Sequence, residues 1–205
     1  MKKFFTAIVA MMLAVPSFAQ FASGGFSLDK NSVYYGARMG LNLASMSGDG
    51  TDANSMKAGL NLGGVVGLRV SPSSPVFLES GFYYTQRGGK DGDTKMTIKY
   101  LEIPLILKYG IKATDDIAVL PFIGPYFALG IAGKTEYSGI DGKEKESTYD
   151  HLLNRNDMGF KLGCGAEYNM IYVEVAYQFG LHNIADNDNL SIHANQLSIN
   201  LGVNF

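Results

Sequence analysis

The chain has 205 residues, a formal net charge of −2, 46% hydrophobic residues and one cysteine, Cys164. That length predicts one domain, and a lone cysteine excludes an intramolecular disulfide. The mild acidity argues against a nucleic-acid partner.

The first element is an export signal. Lys2 and Lys3 give a basic start, residues 4–15 are apolar, and Ser17-Phe18-Ala19 is a small-residue cleavage site before Gln20. A membrane anchor needs about 20 apolar residues, and Pro16 closes this run too early. The expected organisation is a signal peptide over residues 1–19 and a barrel domain over residues 20–205. Without Lys2 and Lys3 the formal charge moves from −2 to −4. No later segment is apolar and long enough for a membrane helix. An exported chain that enters a membrane without such a helix must close a barrel.

Side chains alternate faces along a strand, and this alternation repeats along the chain. Tyr35, Ala37, Met39, Leu41 and Leu43 alternate with Tyr34, Gly36, Arg38, Gly40 and Asn42. Leu62, Gly64, Val66, Leu68 and Val70 then oppose Gly63, Val65, Gly67 and Arg69. A third segment sets Leu78, Ser80, Phe82 and Tyr84 against Glu79, Gly81, Tyr83, Thr85 and Arg87. A fourth sets Leu101, Ile103, Leu105, Leu107 and Tyr109 against Glu102, Pro104, Ile106 and Lys108.

In the fifth segment Ile123, Phe127, Leu129 and Ile131 oppose Gly124, Tyr126, Ala128 and Gly130. Pro121 and Pro125 predict a local irregularity there, because proline cannot donate to a ladder. The sixth places Met158, Phe160, Leu162, Cys164 and Tyr168 against Gly159, Lys161, Gly163, Gly165 and Glu167. Cys164 thus falls on an apolar face, as a small hydrophobe. The seventh opposes Ile171, Val173, Val175, Tyr177, Phe179 and Leu181 to Glu174, Ala176, Gln178, Gly180 and His182. The last opposes Leu197, Ile199, Leu201, Val203 and Phe205 to Ser198, Asn200, Gly202 and Asn204.

Connections alternate between tight (71–75, 112–116, 169–170) and long (45–55, 88–97, 133–156, 183–193). Short inner turns, long outer loops and an even strand count are the pattern of bacterial outer-membrane barrels. The expected fold is all-β: an eight-stranded antiparallel up-and-down transmembrane β-barrel in the bacterial cell outer membrane, contacting outer-membrane lipids. A soluble eight-stranded ligand-binding barrel is the alternative, with the polarity reversed. The terminal aromatics Tyr35, Tyr84, Tyr109, Tyr168 and Phe205 favour an interfacial girdle.

The inward set carries Arg38, Arg69, Arg87, Lys108 and Lys161 against Glu79, Glu102, Glu167 and Glu174. An eight-stranded barrel has just enough interior for side chains, and charges there must pair. The balance of sign predicts a packed, closed interior, with a small channel as the alternative. Inward glycines (Gly36, Gly40, Gly63, Gly67, Gly81, Gly163, Gly165) are expected to make room for long Arg and Lys side chains.

Catalytic chemistry has thin support. His182 lies near Asp186 and Asp188, Asp150-His151 sits in the longest loop, and His193 ends the loop at 183–193. His182 or His151 suits a rim-located lipid-modifying enzyme only if a partner stands within hydrogen-bond reach. Asp49, Asp52, Asp91, Asp93 and the Asp186-Asn187-Asp188 run lack the ordered spacing of a calcium loop. Phosphate loops, paired-cysteine zinc signatures and serine elbows are missing. The expectation is no catalytic, cofactor or metal site.

Residues 83–90 (YYTQRGGK), 100–109 (YLEIPLILKY) and 122–128 (FIGPYFA) resemble the PorT-like outer-membrane β-barrel proteins of Bacteroidetes. Leu101-Glu102-Ile103-Pro104-Leu105 is the most specific block. The resemblance spans the whole chain after residue 19. It implies a porin-family barrel and, through the namesake, envelope or secretion-machinery proteins as partners; it carries no functional residue across. The long loop at 133–156, with Lys134, Glu136, Lys143, Glu144, Lys145 and Glu146, is either a contact surface or a mobile solvated loop.

Overall fold

A computed structural model describes residues 33–48, 56–71, 73–91, 94–139, 142–147, 155–182 and 192–205. Eight long strands are β1 (Val33–Gly48), β2 (Lys57–Arg69), β3 (Val76–Arg87), β4 (Thr94–Tyr109), β5 (Ile117–Gly139), β6 (Asn156–Tyr168), β7 (Ile171–Gly180) and β8 (Ile192–Asn204). Each pairs antiparallel with its chain neighbour. The ends meet where β1 pairs with β8, from Gly36 opposite Asn204 to Gly48 opposite Ile192. The sheet is therefore a closed up-and-down barrel, with no long edge left unpaired.

Alternation decides which residues go where. Leu41, Leu62, Leu105, Ile123, Val175, Ile199 and Leu201 are exposed on the outer surface. Arg38, Asn42, Glu79, Arg87, Glu102, Lys108, Lys161, Glu174, Gln178 and Asn200 are buried inside. This polarity is the reverse of a soluble barrel's and suits hydrocarbon on the outside. Tyr35, Tyr109, Tyr168 and Phe205 all lie outward at the rim that carries the tight turns. Tyr35 and Phe205 exchange backbone hydrogen bonds there, at 3.1 and 2.8 Å. Tyr84, the fifth expected girdle residue, lies half-buried further up the wall, opposite Leu62 and Leu101. At the β6–β7 turn Asn169 takes a left-handed conformation (φ 54°), which Asn tolerates better than most residues.

The strands outrun their expected limits on the long-loop side. β1 continues to Gly48, β4 begins at Thr94, and β5 runs to Gly139 before a ribbon at Gly142–Ser147 folds back on it. Much of the segment expected as a long loop at 133–156 is thus a hairpin. The Gly and charged residues there hid a strand that has no apolar face to advertise it.

The irregularity expected around Pro121 and Pro125 is present on one side only, where Gly124 and Pro125 lack ladder partners. On the β6 side the register runs unbroken from Ile117–Tyr168 to Leu129–Asn156, straight through Pro121 and Pro125. The ladder interruptions face β4. Pairing with β5 stops between Pro104–Tyr126 and Leu107–Ile123, yet resumes in the same register. The register shift falls instead between Lys99 and Tyr100, where Ile131 is the extra residue. Pro104 likewise interrupts pairing between Ser80–Leu105 and Tyr83–Glu102, and the Ser80 hydroxyl donates to its carbonyl at 2.8 Å.

Candidate functional site

The chemistry-bearing side chains converge on the barrel interior. In the half nearer the tight turns, Glu79 on β3 is the hub. Its carboxylate meets Lys108 Nζ at 2.8 Å and Arg38 Nη2 at 3.6 Å, and it accepts from the Tyr34 hydroxyl at 2.7 Å. Arg38 also donates to Asn204 Oδ1 at 2.5 Å, and Asn204 donates to Glu167 at 2.6 Å. Lys108 donates to the Tyr172 hydroxyl at 3.0 Å, which donates in turn to Glu174 at 3.0 Å. At mid-height Glu174 receives Lys161 at 3.4 Å and Asn200 at 2.8 Å.

A second cluster lies nearer the long loops. Arg87 binds Asp157 at 2.6 Å and Glu102 on its other side, with Glu102 also accepting from Gln178 at 2.6 Å. The Arg87 guanidinium lies 5.1 Å from the Tyr100 ring centroid and 5.2 Å from that of Tyr126. Above it Ile98, Tyr100, Tyr126, Ala128 and Ala194 form a buried apolar cluster, with Met96 packed against it. Among the described residues, paired charge and apolar packing share the interior, where an isolated ion would be costly.

Two of the expected interior assignments change. Arg69 is half-buried, and its Nε donates to the carbonyls of Ser71 and Ser74 at 2.9 and 3.3 Å, so it braces a turn. Asp157, outside the expected sixth segment, is fully buried against Arg87. Carrying the alternation one step back from Met158 would have found it. The glycines also serve a wider purpose than expected. A side chain at Gly63, Gly67 or Gly165 would meet the rings of Tyr83, Tyr34 and Tyr172, whereas Gly36 and Gly202 do lie against Arg38.

Of the candidate catalytic and metal residues, only His182 and His193 have described side chains. His182 is half-buried at the end of β7, and His193 on β8 stands opposite Ser47. His151, Asp150, Asp186, Asn187, Asp188, Asp49, Asp52 and Asp93 lie outside the described residues, and of Asp91 only the backbone is described. Among the described residues no group of three or more His, Cys, Asp or Glu could hold a metal ion.

Residues 18–186 match the family model described as outer membrane protein beta-barrel domain. The chain belongs to that family. It is a protein of the bacterial outer membrane. No curated protein matches its sequence. Among solved structures it is similar to a major outer membrane protein from Thermus thermophilus, at 11% identity over 85% of this chain and 100% of that one, TM-score 0.52. Neisserial surface protein A is similar at 15% identity over 85% of this chain and 98% of that one, TM-score 0.50. Ail, the attachment invasion locus protein of Yersinia pestis, matches at 13% identity over 85% and 100%, TM-score 0.45. At these identities the likeness concerns the fold alone.

Proposed function

We propose that this family member is a non-enzymatic, closed barrel that serves envelope structure or partner binding through its outer loops. One observation carries the reading: Arg87, Glu102, Asp157 and Gln178 link β3, β4, β6 and β7 across the lumen beneath an apolar cap. A permeation path would have to part these ions in a medium where unpaired charge is costly. The basic start, apolar run and Ala19-Gln20 junction support export as a precursor that loses residues 1–19. The blocks at 83–90, 100–109 and 122–128 support PorT-like, Bacteroidetes-type membership, with a secretion-associated partner as its corollary.

Planar-bilayer recording of the full barrel tests the closed interior. Silence across voltage is the expected result, and discrete conductance steps would replace this reading with a small channel for ions or solutes. The channel reading has its own support in Asn42 Oδ1, Asn61 Oδ1 and Glu167 Oε1, which are buried without a hydrogen-bond partner among the described residues and suit internal water. Gentle detergent extraction and affinity capture test the partner: one stoichiometric envelope protein is expected, and recovery of the barrel alone would leave a structural role.

A further inference from the structure

Two lysines share the outer surface at the long-loop rim. Lys99 on β4 is half-buried and Lys134 on β5 is exposed. In register Lys99 stands opposite Ala132, and Thr97 opposite Lys134. The lysines are therefore diagonal neighbours on one face, roughly 7–8 Å apart at the backbone. Both ammonium groups can reach a single anion between them.

A β-bulge creates this pairing. Up to Tyr100–Gly130 the odd positions of β5 face outward, among them Phe127 and Leu129. Ile131 is then unpaired, and beyond it Ala132 and Lys134 are exposed while Thr135 is buried. Without the extra residue Lys134 would point inward, above the apolar cap. Bulges re-aim side chains in this way.

The surroundings define the ligand. On the same face below the lysines, Leu101, Ile103, Phe127 and Leu129 belong to the apolar band. Beside Lys99, Gln86 stands in register and donates to the Tyr84 hydroxyl at 3.0 Å. Cations of the opposite rim are held locally: Lys112 pairs with Asp115 at 3.0 Å, and Arg69 caps turn carbonyls. Lys99 and Lys134 make no hydrogen bond or ion pair through their side chains among the described residues.

We propose that Lys99 and Lys134 bind the phosphate of a phosphorylated glycolipid in the outer leaflet, with its acyl chains against Leu101 and Leu129. Basic groups at a membrane surface attract anionic headgroups, and the rim with long loops is the outer one. The site is independent of whether the loops take a protein partner.

The test uses the full barrel in phosphatidylcholine nanodiscs doped with diphosphorylated lipid A, with native mass spectrometry reading the retained lipid. Lys99→Gln or Lys134→Gln should each weaken retention about fivefold, and the pair by more than tenfold. Lys99→Arg with Lys134→Arg should retain it, and Lys112→Gln should change nothing. Heat-modifiable gel migration establishes that each variant is folded, and the single variants carry the test should the double one fail to insert. Equal retention by wild type and variants overturns the site. Equal retention of dephosphorylated lipid A would assign the contact to acyl chains alone, and equal retention of phosphatidylglycerol would reduce it to unselective attraction; either overturns the proposal.

Discussion

Arg87 on β3 reaches Asp157 on β6, three strands around the barrel, at 2.6 Å and in full burial. Its second nitrogen is committed to Glu102. One side chain thus ties the neighbouring strands β3 and β4 to β6, 70 residues along the chain.

Removing that side chain strands two buried carboxylates. Arg87→Ala should destabilise the barrel by about 3–5 kcal/mol, the cost of breaking a buried pair from one side. Arg87→Lys should recover part of the loss, since an ammonium restores the charge without the two-pronged geometry. Denaturant unfolding in lipid vesicles, followed by tyrosine fluorescence, checks both. An Arg87→Ala barrel as stable as wild type would show that the cluster contributes nothing.

Gly165 and Tyr172 test the packing. A side chain at Gly165 would occupy the position of the Tyr172 ring. Gly165→Val should cost about 1–3 kcal/mol by overpacking. Combined with Tyr172→Ala it should cost less than the sum of the single changes. Additive costs in this double-mutant cycle would mean that the two positions do not share space.

Cys164 is a built-in reporter, being the only cysteine of the chain. It faces outward, in register with Val175 and Pro121. In vesicles, a nitroxide attached there should be relaxed strongly by oxygen and weakly by a water-soluble nickel chelate. In urea the thiol should react freely with a polar maleimide. Rapid reaction with that maleimide in the folded, inserted barrel would contradict the lipid-facing position.

The barrel was legible because its signal is collective. Eight weak alternations, such as Leu101 to Tyr109 against Glu102 to Lys108, all keep charge off the apolar side, and Tyr168-Asn169-Met170-Ile171 leaves room only for a tight turn. Three features were less legible. Asp157 fell outside its segment because the apolar positions that reveal a strand start at Met158. The ribbon at Gly142–Ser147 has no apolar face to bury, so its composition reads as loop. The bulge at Ile131 depends on the partner strand, since register is a property of a pair. The rim lysines depend on that bulge, so one sequence segment alone could not bring them together.

The outer face makes the last prediction, because hydrocarbon penalises charge by depth. Val175 is outward on β7, in register with Cys164 and Ile199 and well inside both rims. Ile171 is outward on the same strand, at the turn rim beside Tyr168. Val175→Arg should cost about 2–4 kcal/mol and Ile171→Arg about 0–1 kcal/mol. The substitution is the same on the same strand face, so propensity and charge cancel in the comparison. Only distance from the interface differs, and a long arginine at Ile171 can reach water where one at Val175 cannot. Reversible unfolding in vesicles gives both values. Equal costs at the two positions would mean that the apolar band does not lie across the bilayer as the aromatic rim of Tyr35, Tyr109, Tyr168 and Phe205 requires.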